Sequence, residues 1–424
     1  MLDLINTVLG LGASVVMPII IFVIGIIFGM KPLRALTAGL TVGVGFIGIN
    51  LVTGMMSGYL TPIIEGLQSK FNIVLDVYDI GWPVSSGIAF SSGMLVIAMF
   101  VILILINVVM LLLNWTNTLN VDLWNFWNFI MAAALVYALS GSFVIGCICG
   151  GIYGAIVLYM SDKHEEVLGD FLGQPGVTIT TQSFSLTLYL CMGINWLLEH
   201  IPGINKINFS FGKVKDADSD KYSVLTEPIL LGFILGLVLS VVSGVDWKGS
   251  LSAGIGMGAV MFLLPKMVSV LIDGISPVSK AAQEFLSKRF PDRHLNIGMD
   301  LAICLGDKDV ITMAMIMIPV TIVLAMILPF NRMLPFMDLP SMPYTMVAPV
   351  IAGKRNSFRT FIISVCICCL TLFIATDLAP IFTSVAVGSG IIDASSGMVS
   401  ALSCGGNLIA WIEIKIIQLL QNIF

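Results

Sequence analysis

Charged residues are scarce in this chain of 424 residues, where Asp, Glu, Lys and Arg together make up only 11%. A soluble globular domain carries about 25% charged residues, so this composition excludes an ordinary soluble protein. Apolar residues reach 58% instead. The first apolar run, Leu9 to Gly29, lacks a preceding basic region and is too long for a signal-peptide core. We therefore predict a multi-pass membrane protein that retains this run as its first span.

Residues suited to metal or redox chemistry are also few. Eight cysteines are scattered through apolar runs, and the CxxC spacing of Cys366 and Cys369 has no second pair. His164, His200 and His294 are the only histidines, and all three are predicted to be solvated loop residues. The chain contains no phosphate-binding loop, zinc-protease motif, catalytic triad signature or basic nucleic-acid patch. We expect no metal, no cofactor and no nucleic-acid partner.

The second half of the chain repeats the first at an offset of about 215 residues. Residues 36–40 align with residues 251–255, and Asp122 aligns with Asp338 after small shifts. Apolar residues are so common in this chain that matches at Leu or Ile can arise by chance. Matches at Gly, Pro, Asn and Asp are harder to explain in this way. Self-similarity on this scale predicts an internal duplication. The predicted organisation is a first repeat over 1–205, a hydrophilic linker over 206–227 and a second repeat over 228–424.

Apolar runs of roughly 20 residues indicate membrane-spanning helices. Together they predict an all-α polytopic membrane protein with about 11 transmembrane helices. Thr61–Phe71 and Ser276–Phe290 mix apolar and polar residues at helical spacing, which predicts amphipathic interfacial helices. The predicted spans lie near 11–30, 34–57, 93–113, 125–142, 143–161, 228–244, 249–272, 309–329, 341–353, 358–376 and 399–420.

Matched loops of the two halves carry opposite charge, and cytoplasmic loops are enriched in Lys and Arg. Lys31 and Arg34 follow the first span, whereas Asp246 and Lys248 stand at the equivalent turn. This alternation predicts two inverted repeats with the N-terminus outside and the lysine-bearing linker in the cytoplasm. It also requires the stretch from Phe171 to His200 to enter the membrane and turn back. A parallel repeat of six spans each remains the alternative.

Two stretches place Gly, Pro and charges between apolar segments, namely Asp79–Gly87 and Asn296–Asp309. We predict re-entrant hairpins, because irregular backbone at membrane depth is tolerated where it lines a wet cavity. Surface loops are the alternative. Asp300 is the best candidate for a carboxylate that accepts hydrogen bonds from substrate hydroxyls, although pairing with Lys308 or Arg293 would also explain it.

Two further polar clusters adjoin apolar segments, at Asn120–Asn128 and at Gly169–Gln182. An aromatic plane beside amide donors and acceptors suits a sugar or polyol. An interfacial aromatic belt, with Asp122 as a helix N-cap, is the alternative for the first cluster. The candidate substrate-binding residues from all four regions are Trp82, Ser85, Asp122, Trp124, Asn125, Asn128, Gln174, Thr178, Gln182 and Asp300.

Four of these motifs resemble the galactitol-type IIC permeases of the bacterial phosphotransferase system, which belong with the ascorbate-type permeases. They are Gly81–Pro83 (GWP), Val121–Asn128 (VDLWNFWN), Gly173–Gln182 (GQPGVTITTQ) and Gly298–Asp300 (GMD). The resemblance covers the whole chain. It implies a homodimer in the bacterial inner membrane, with a V-shaped scaffold domain and a core domain that carries substrate by an elevator-like movement. It also implies that a phosphocysteine on a separate IIB protein, charged by IIA, phosphorylates the substrate. This chain would then be a transport subunit without a phosphoryl-carrying residue.

The chain departs from the ascorbate branch at two positions. Asn128 and Thr181 stand where that branch has histidines, so two ionisable groups are replaced by neutral ones. A neutral polyol fits this substitution better than an anionic substrate. The alternative function is an ion-coupled secondary transporter for a small polar solute, in which Asp300 or Asp122 would bind the proton or cation.

Overall fold

The computed structural model describes residues 13–71, 75–120, 122–173, 175–207, 228–287, 295–305, 307–405 and 407–423. Most of them are helical, as predicted. The helices of the first half are α1 (Ala13–Ile27), α2 (Pro32–Phe71), α3 (Gly81–Phe90), α4 (Met94–Leu112), α5 (Phe126–Ser140), α6 (Phe143–Leu172) and α7 (Gln182–His200). Those of the second half are α8 (Pro228–Ser243), α9 (Trp247–Ser287), α10 (Lys308–Ile327), α11 (Met342–Ala352), α12 (Ser357–Gly388), α13 (Leu402–Gly405) and α14 (Leu408–Ile423).

Six helices among these residues are long and apolar enough to cross a membrane, namely α2, α4, α6, α9, α10 and α12. Each covers a run that the sequence predicted to be a span. Helices α1, α5 and α8 are shorter but equally apolar. The prediction of a multi-pass helical membrane protein is confirmed, whereas the count of eleven spans stays a prediction.

Some helix boundaries differ from the sequence prediction. Residues 61–71 and 276–287 are helical as predicted, but they continue α2 and α9 without a break through Pro62 and Pro277, and their position in the interface stays a prediction. At 1.5 Å per residue the 40-residue α2 is about 60 Å long, roughly twice the thickness of a hydrocarbon core. The predicted last span, 399–420, is wrong, because a strand and the short α13 precede α14.

Six short strands form two parallel sheets that the all-α prediction missed. The strands are β1 (Val77–Asp79), β2 (Thr118–Asn120), β3 (Val177–Ile179), β4 (Asn296–Met299), β5 (Met333–Leu334) and β6 (Met398–Ser400). The first sheet has the order β5-β1-β6 and the second the order β2-β4-β3. Each sheet therefore takes its central strand from one half of the chain and both outer strands from the other.

Two of the strands, β1 and β4, lie at the start of the two stretches that the sequence predicted to be irregular. β1 leads into α3, and β4 leads into a 3₁₀ turn over Leu301–Cys304. The stretch from Phe171 to His200, predicted to turn back, contains the end of α6, β3 and α7. Asp79 ends β1 and is buried; its carboxylate accepts from the N–H of Gly81 at 3.0 Å and from the N–H of Met337 at 2.9 Å. This side chain joins the turn between β1 and α3 to the second half of the chain.

Helices α1, α2, α8 and α9 pack on one another, and glycines permit the close approach. A Cβ added at Gly39 would lie 2.4 Å from the Pro18 carbonyl oxygen, and one at Gly232 would lie 2.6 Å from that of Met257. Such distances leave no room for a side chain. Small residues at helix contacts are the usual means of packing within membranes.

Replacing Gly45 by alanine is expected to lower the stability of this four-helix unit by about 1–3 kcal/mol, the usual cost of overpacking. Its Cβ would meet the main-chain nitrogen of Leu271 on α9 at 2.9 Å. Gly54→Ala, on the same helix with nothing within 4 Å, is the matched control. Thermal unfolding of the purified variants in detergent checks the difference. Equal midpoints for both variants would contradict the close contact.

An ion pair outside the spans also links the two halves. The Arg332 guanidinium donates through Nε to Asp76 Oδ1 at 2.7 Å and through Nη2 to Oδ2. This hydrogen bonding holds the pKa of Asp76 below its ordinary value. Both side chains are partly exposed, so the pair contributes about 0–1 kcal/mol. Because Asp76 directly precedes β1 and Arg332 directly precedes β5, the pair holds the starts of these two strands side by side.

Candidate functional site

A cavity of about 400 Å³ lies where the carboxyl ends of both sheets meet. Asp122, Thr181 and Asp300 follow the strands of the second sheet, and all three line it. Trp82 and Ser403 follow strands of the first sheet and line it from the other side. Carboxyl ends of parallel strands are common ligand positions, and the volume is typical of small-molecule sites.

Most of the residues selected from the sequence converge here. Ser85 and Thr178 do not line the cavity: the Ser85 hydroxyl donates to the Gly81 carbonyl at 2.8 Å, and the Thr178 hydroxyl lies 3.2 Å from that of Thr118. Gln174 lies outside the described residues. The seven that line the cavity are Trp82, Asp122, Trp124, Asn125, Asn128, Gln182 and Asp300.

The polar wall is built around the amide of Asn125. Its Nδ2 donates to Asp122 at 2.6 Å and to Asp300 at 2.5 Å. Asn128 Nδ2 lies 3.3 Å from Asn125 Oδ1, and Gln182 Nε2 donates to Asn128 Oδ1 at 2.6 Å. The three amides thus form one chain of hydrogen bonds that ends on two carboxylates.

The carboxylates fix the direction of this chain, because ionised carboxylates only accept hydrogen bonds. The amino group of Asn125 must therefore face Asp122 and Asp300, which orients the amides of Asn128 and Gln182 in turn. The last oxygen, Gln182 Oε1, has no hydrogen-bond partner among the described residues, although the side chain is only 4% exposed. Both ends of this series of hydrogen-bonded amides therefore offer acceptor oxygens, which need a hydrogen-bond donor.

Aromatic rings form the apolar wall. The indoles of Trp82 and Trp124 meet edge to face, with centroids 6.4 Å apart and planes at 81°. Phe90 supports Trp124 from behind at 5.8 Å. The ring of Trp127 also lines the cavity and is 6% exposed. Rings fixed in this way offer flat apolar surfaces for C–H groups next to the acceptors.

Asp338 lines the cavity too, and sequence reasoning omitted it from the site. Its Oδ1 accepts from the N–H of Trp82 and its Oδ2 from the N–H of Ser403, each at 2.7 Å. Both oxygens therefore hold backbone together. The repeat alignment of Asp338 with Asp122 was the signal that could have drawn attention to it.

Residues 7–395 match the family described as the sugar-specific permease component of the PTS, EIIC-GAT. The chain belongs to this EIIC family. The galactitol-specific EIIC component of Escherichia coli (strain K12) is 34% identical over 414 residues, covering 98% of this chain and 90% of that protein. A putative permease IIC component of the same strain is 33% identical over 407 residues, covering 95% and 91%. The resemblance inferred from the four motifs is confirmed at the level of the family.

Polar residues beyond the selected candidates also line the cavity. Thr181 Oγ1 accepts from the N–H of Leu301 at 3.1 Å and so joins the end of β3 to the 3₁₀ turn that follows β4. Polar side chains inside long apolar helices gave only a weak signal, because most such residues satisfy their own helix backbone. The other polar lining residues are Ser183, Thr187, Ser276, Ser279, Ser341, Tyr344, Thr345 and Thr371.

The histidine predictions for the EIIC permease had mixed outcomes. His164 is buried at 1% exposure on α6, with its ring 5.5 Å from Phe184 and 5.0 Å from Tyr189, so a solvated loop position is wrong. The cause is that α6 continues to Leu172, well past the predicted end of that span. His200 ends α7 and is exposed, as predicted. His294 lies outside the described residues.

The charged residues after Asp300 in the EIIC permease have a structural role. Asp307 caps α10 by accepting from the N–H groups of Asp309 and Val310. Arg355 pairs with Asp307 at 2.8 Å and with Asp309 at 2.6 Å. Asp307 and Asp309 are therefore held outside the cavity, and of these three aspartates Asp300 alone lines it.

Proposed function

We propose that this chain is the membrane-embedded IIC subunit for galactitol or a closely related neutral polyol. The observation that carries the proposal is the amide of Asn125 bridging Asp122 and Asp300 inside the cavity. Because this arrangement leaves acceptors at both ends of the amide chain, it selects a ligand rich in hydroxyl donors. The indoles of Trp82 and Trp124 then pack on the carbon backbone of the polyol.

Charge gives the second argument for a neutral substrate. Asp122 and Asp300 are both mostly buried, and no cation lies among the described residues that line the cavity. An anionic substrate would meet like charge there, at a cost that the low dielectric increases. Asn128 and Gln182 add neutral amides. This side-chain set therefore suits an alditol better than an anionic lactone.

The proposal includes two inverted repeats related by a pseudo-two-fold axis. Exchanging β1 with β4, β2 with β5 and β3 with β6 converts the strand order of the first sheet into that of the second. The helices correspond in the same order, α1 with α8, α2 with α9, α4 with α10, α5 with α11 and α6 with α12, while the 3₁₀ turn over Leu301–Cys304 takes the place of α3. Opposite loop charges support inversion with the N-terminus outside.

The proposal also includes an elevator-type movement, because the helices pack as two units. Helices α1, α2, α8 and α9 form the V-shaped scaffold domain, and the two sheets with the remaining helices form the core domain. Ser276 and Ser279 of α9 line the cavity beside core residues, so the ligand would lie at the boundary of the two domains. Movement of the core along α2 and α9 would then carry the ligand across the bacterial inner membrane.

The proposed partners are a IIB protein that phosphorylates the bound polyol, a IIA protein that charges it, membrane lipid and a second copy of this chain. The galactitol-specific relative supports this assignment. No phosphoryl carrier is assigned within the chain. Cys404, the cysteine followed by two glycines, is buried on α13, where a partner could not reach it.

A two-part experiment tests the proposed function. Purified protein is titrated with galactitol, other hexitols, pentitols and ascorbate, and we expect binding of neutral polyols and none of ascorbate. Vesicles containing the protein are then supplied with labelled galactitol and with phosphorylated IIB. Phosphorylated product that depends on IIB supports the proposal. Accumulation of unmodified galactitol that collapses with a protonophore would instead identify a secondary transporter.

A further inference from the structure

A second polar cluster lies on α14, outside the residues that line the cavity. Glu413 is placed on this helix with both carboxylate oxygens inaccessible to solvent. Neither oxygen has a hydrogen-bond partner among the described residues. The neighbouring Ala410 and Ile414 are fully buried, so this part of α14 belongs to the core of the protein.

Two ionisable groups that interact with Glu413 are on α6. Cys149 and Tyr153 lie four residues apart on one helix face, both within electrostatic range of Glu413. The hydroxyl of Tyr153 donates to Oδ1 of Asn407, the residue directly before α14. Tyr153 is fully buried, so this bond joins α6 to the start of α14 away from water.

Two acidic groups on the helices around α14 have partners of their own. Asp377 of α12 accepts from Trp411 Nε1 and pairs with Lys415, each at 2.7 Å. Glu199 of α7 pairs with Arg359 at 2.6 Å and with Lys354 at 3.1 Å. The remaining ionisable side chains on these helices are Tyr137 of α5, Cys147, Tyr159, Asp162, Lys163, His164, Glu165, Glu166 and Asp170 of α6, Tyr189, Cys191 and His200 of α7, Cys366, Cys368 and Cys369 of α12, and Cys404 of α13, which adjoins Tyr153.

An ionised carboxylate without a partner is very costly in such surroundings, and the group is instead neutralised by binding a proton. We infer that Glu413 is a proton-binding site whose occupancy is linked to ligand binding in the neighbouring cavity. The proton comes from bulk water and is held on a carboxylate oxygen while α14 packs on α6. Loss of the proton leaves a charge that this packing cannot accommodate.

The link to the cavity runs through the start of α14. Gly405 and Leu408 line the cavity, and Asn407 stands between them. The packing of α14 on α6 therefore positions part of the cavity wall. Because linkage is reciprocal, a ligand that binds this packed state promotes proton uptake at Glu413. This inference depends on the proposed function only for the identity of the ligand used as a probe.

Infrared difference spectroscopy tests the proton site without any ligand. We expect the wild-type protein at neutral pH to show the carbonyl band of a protonated carboxylic acid, and Glu413→Gln to lack it. Glu166→Gln, an exposed carboxylate on α6, is the matched control and should retain the band. An unchanged band in Glu413→Gln would overturn the proposal.

Galactitol titrations at several pH values test the linkage. The wild-type affinity should fall as pH rises, by at most about tenfold per pH unit, the limit for one linked proton. Glu413→Gln should bind with the affinity that the wild type has at low pH and should show no such slope. Equal slopes in both proteins would overturn the linkage. If galactitol does not bind at all, the proposed function fails, and the infrared band still decides whether Glu413 holds a proton.

Discussion

Asp300→Asn is expected to weaken galactitol binding by about ten- to a hundredfold, since hydrogen bonds to charged groups contribute about 1.5–3 kcal/mol. The carboxylate oxygen that accepts from Asn125 would become an amide that can also donate. The direction of the Asn125 amide would then depend on Asp122 alone, and the acceptor at Gln182 Oε1 would be held less firmly. Isothermal titration of the purified variant gives the affinity directly.

The fold should survive this substitution. Asp300 Oδ1 accepts from the N–H of Ala302 at 2.6 Å, and asparagine retains an oxygen for this bond. Size-exclusion chromatography should therefore show the wild-type oligomeric state. Asp309→Asn is the control, because Asp309 lies nearby in the chain but pairs with Arg355 outside the cavity. Wild-type affinity in Asp300→Asn would remove this carboxylate from the site.

Asp338→Ala is expected to lower the stability by about 2–6 kcal/mol, because it leaves two buried N–H groups unpaired at about 1–3 kcal/mol each. The carboxylate is 2% exposed and joins Trp82 of α3 to Ser403 of α13. Without it, the carboxyl end of the first sheet loses the acceptor that joins these two helices. Yield of monodisperse protein and the thermal unfolding midpoint measure the effect.

Asp122→Ala provides the comparison, because Asp122 and Asp338 align in the two repeats. The bond from the N–H of Asn125 to the Asp122 carboxylate is long, at 3.4 Å, and its short bond is to the Asn125 side chain. We expect the variant to fold and to lose about tenfold or more in galactitol affinity. A folded Asp338→Ala with the wild-type midpoint, or an Asp122→Ala that fails to fold, would contradict this division of roles.

The long helices could be predicted because hydropathy is a local property. Each of the six long apolar helices coincides with an apolar run, and the breaks after α2, α6 and α9 coincide with clusters of Gly, Pro and charge. The strands could not be predicted in the same way. β5 has two residues, and its partner Tyr78 lies in the other half of the chain. A segment of two residues is too short to show the alternation of apolar and polar residues that indicates a strand.

The candidate site was predicted in part for a similar reason. Polar side chains at membrane depth need partners, so their type alone pointed to Asn125, Gln182 and Asp300. Ser85 and Thr178 met the same criterion but bond to a helix carbonyl and to a neighbouring strand. Which polar group faces the cavity and which is bonded elsewhere depends on contacts that composition does not record.

The class of protein, the positions of most spans and the residue types available for a neutral ligand follow from the amino-acid sequence. Only the folded chain shows that each half supplies the central strand of the other half's sheet, and that the cavity forms where the two sheets end. It also shows that Asp122 offers a carboxylate to the cavity while its repeat equivalent, Asp338, binds backbone. A span is marked by the hydropathy of neighbouring residues, which can be read along the sequence. The hydrogen-bond partner of a buried polar group can lie more than 200 residues away, as Trp82 does from Asp338, and only folding brings the two together.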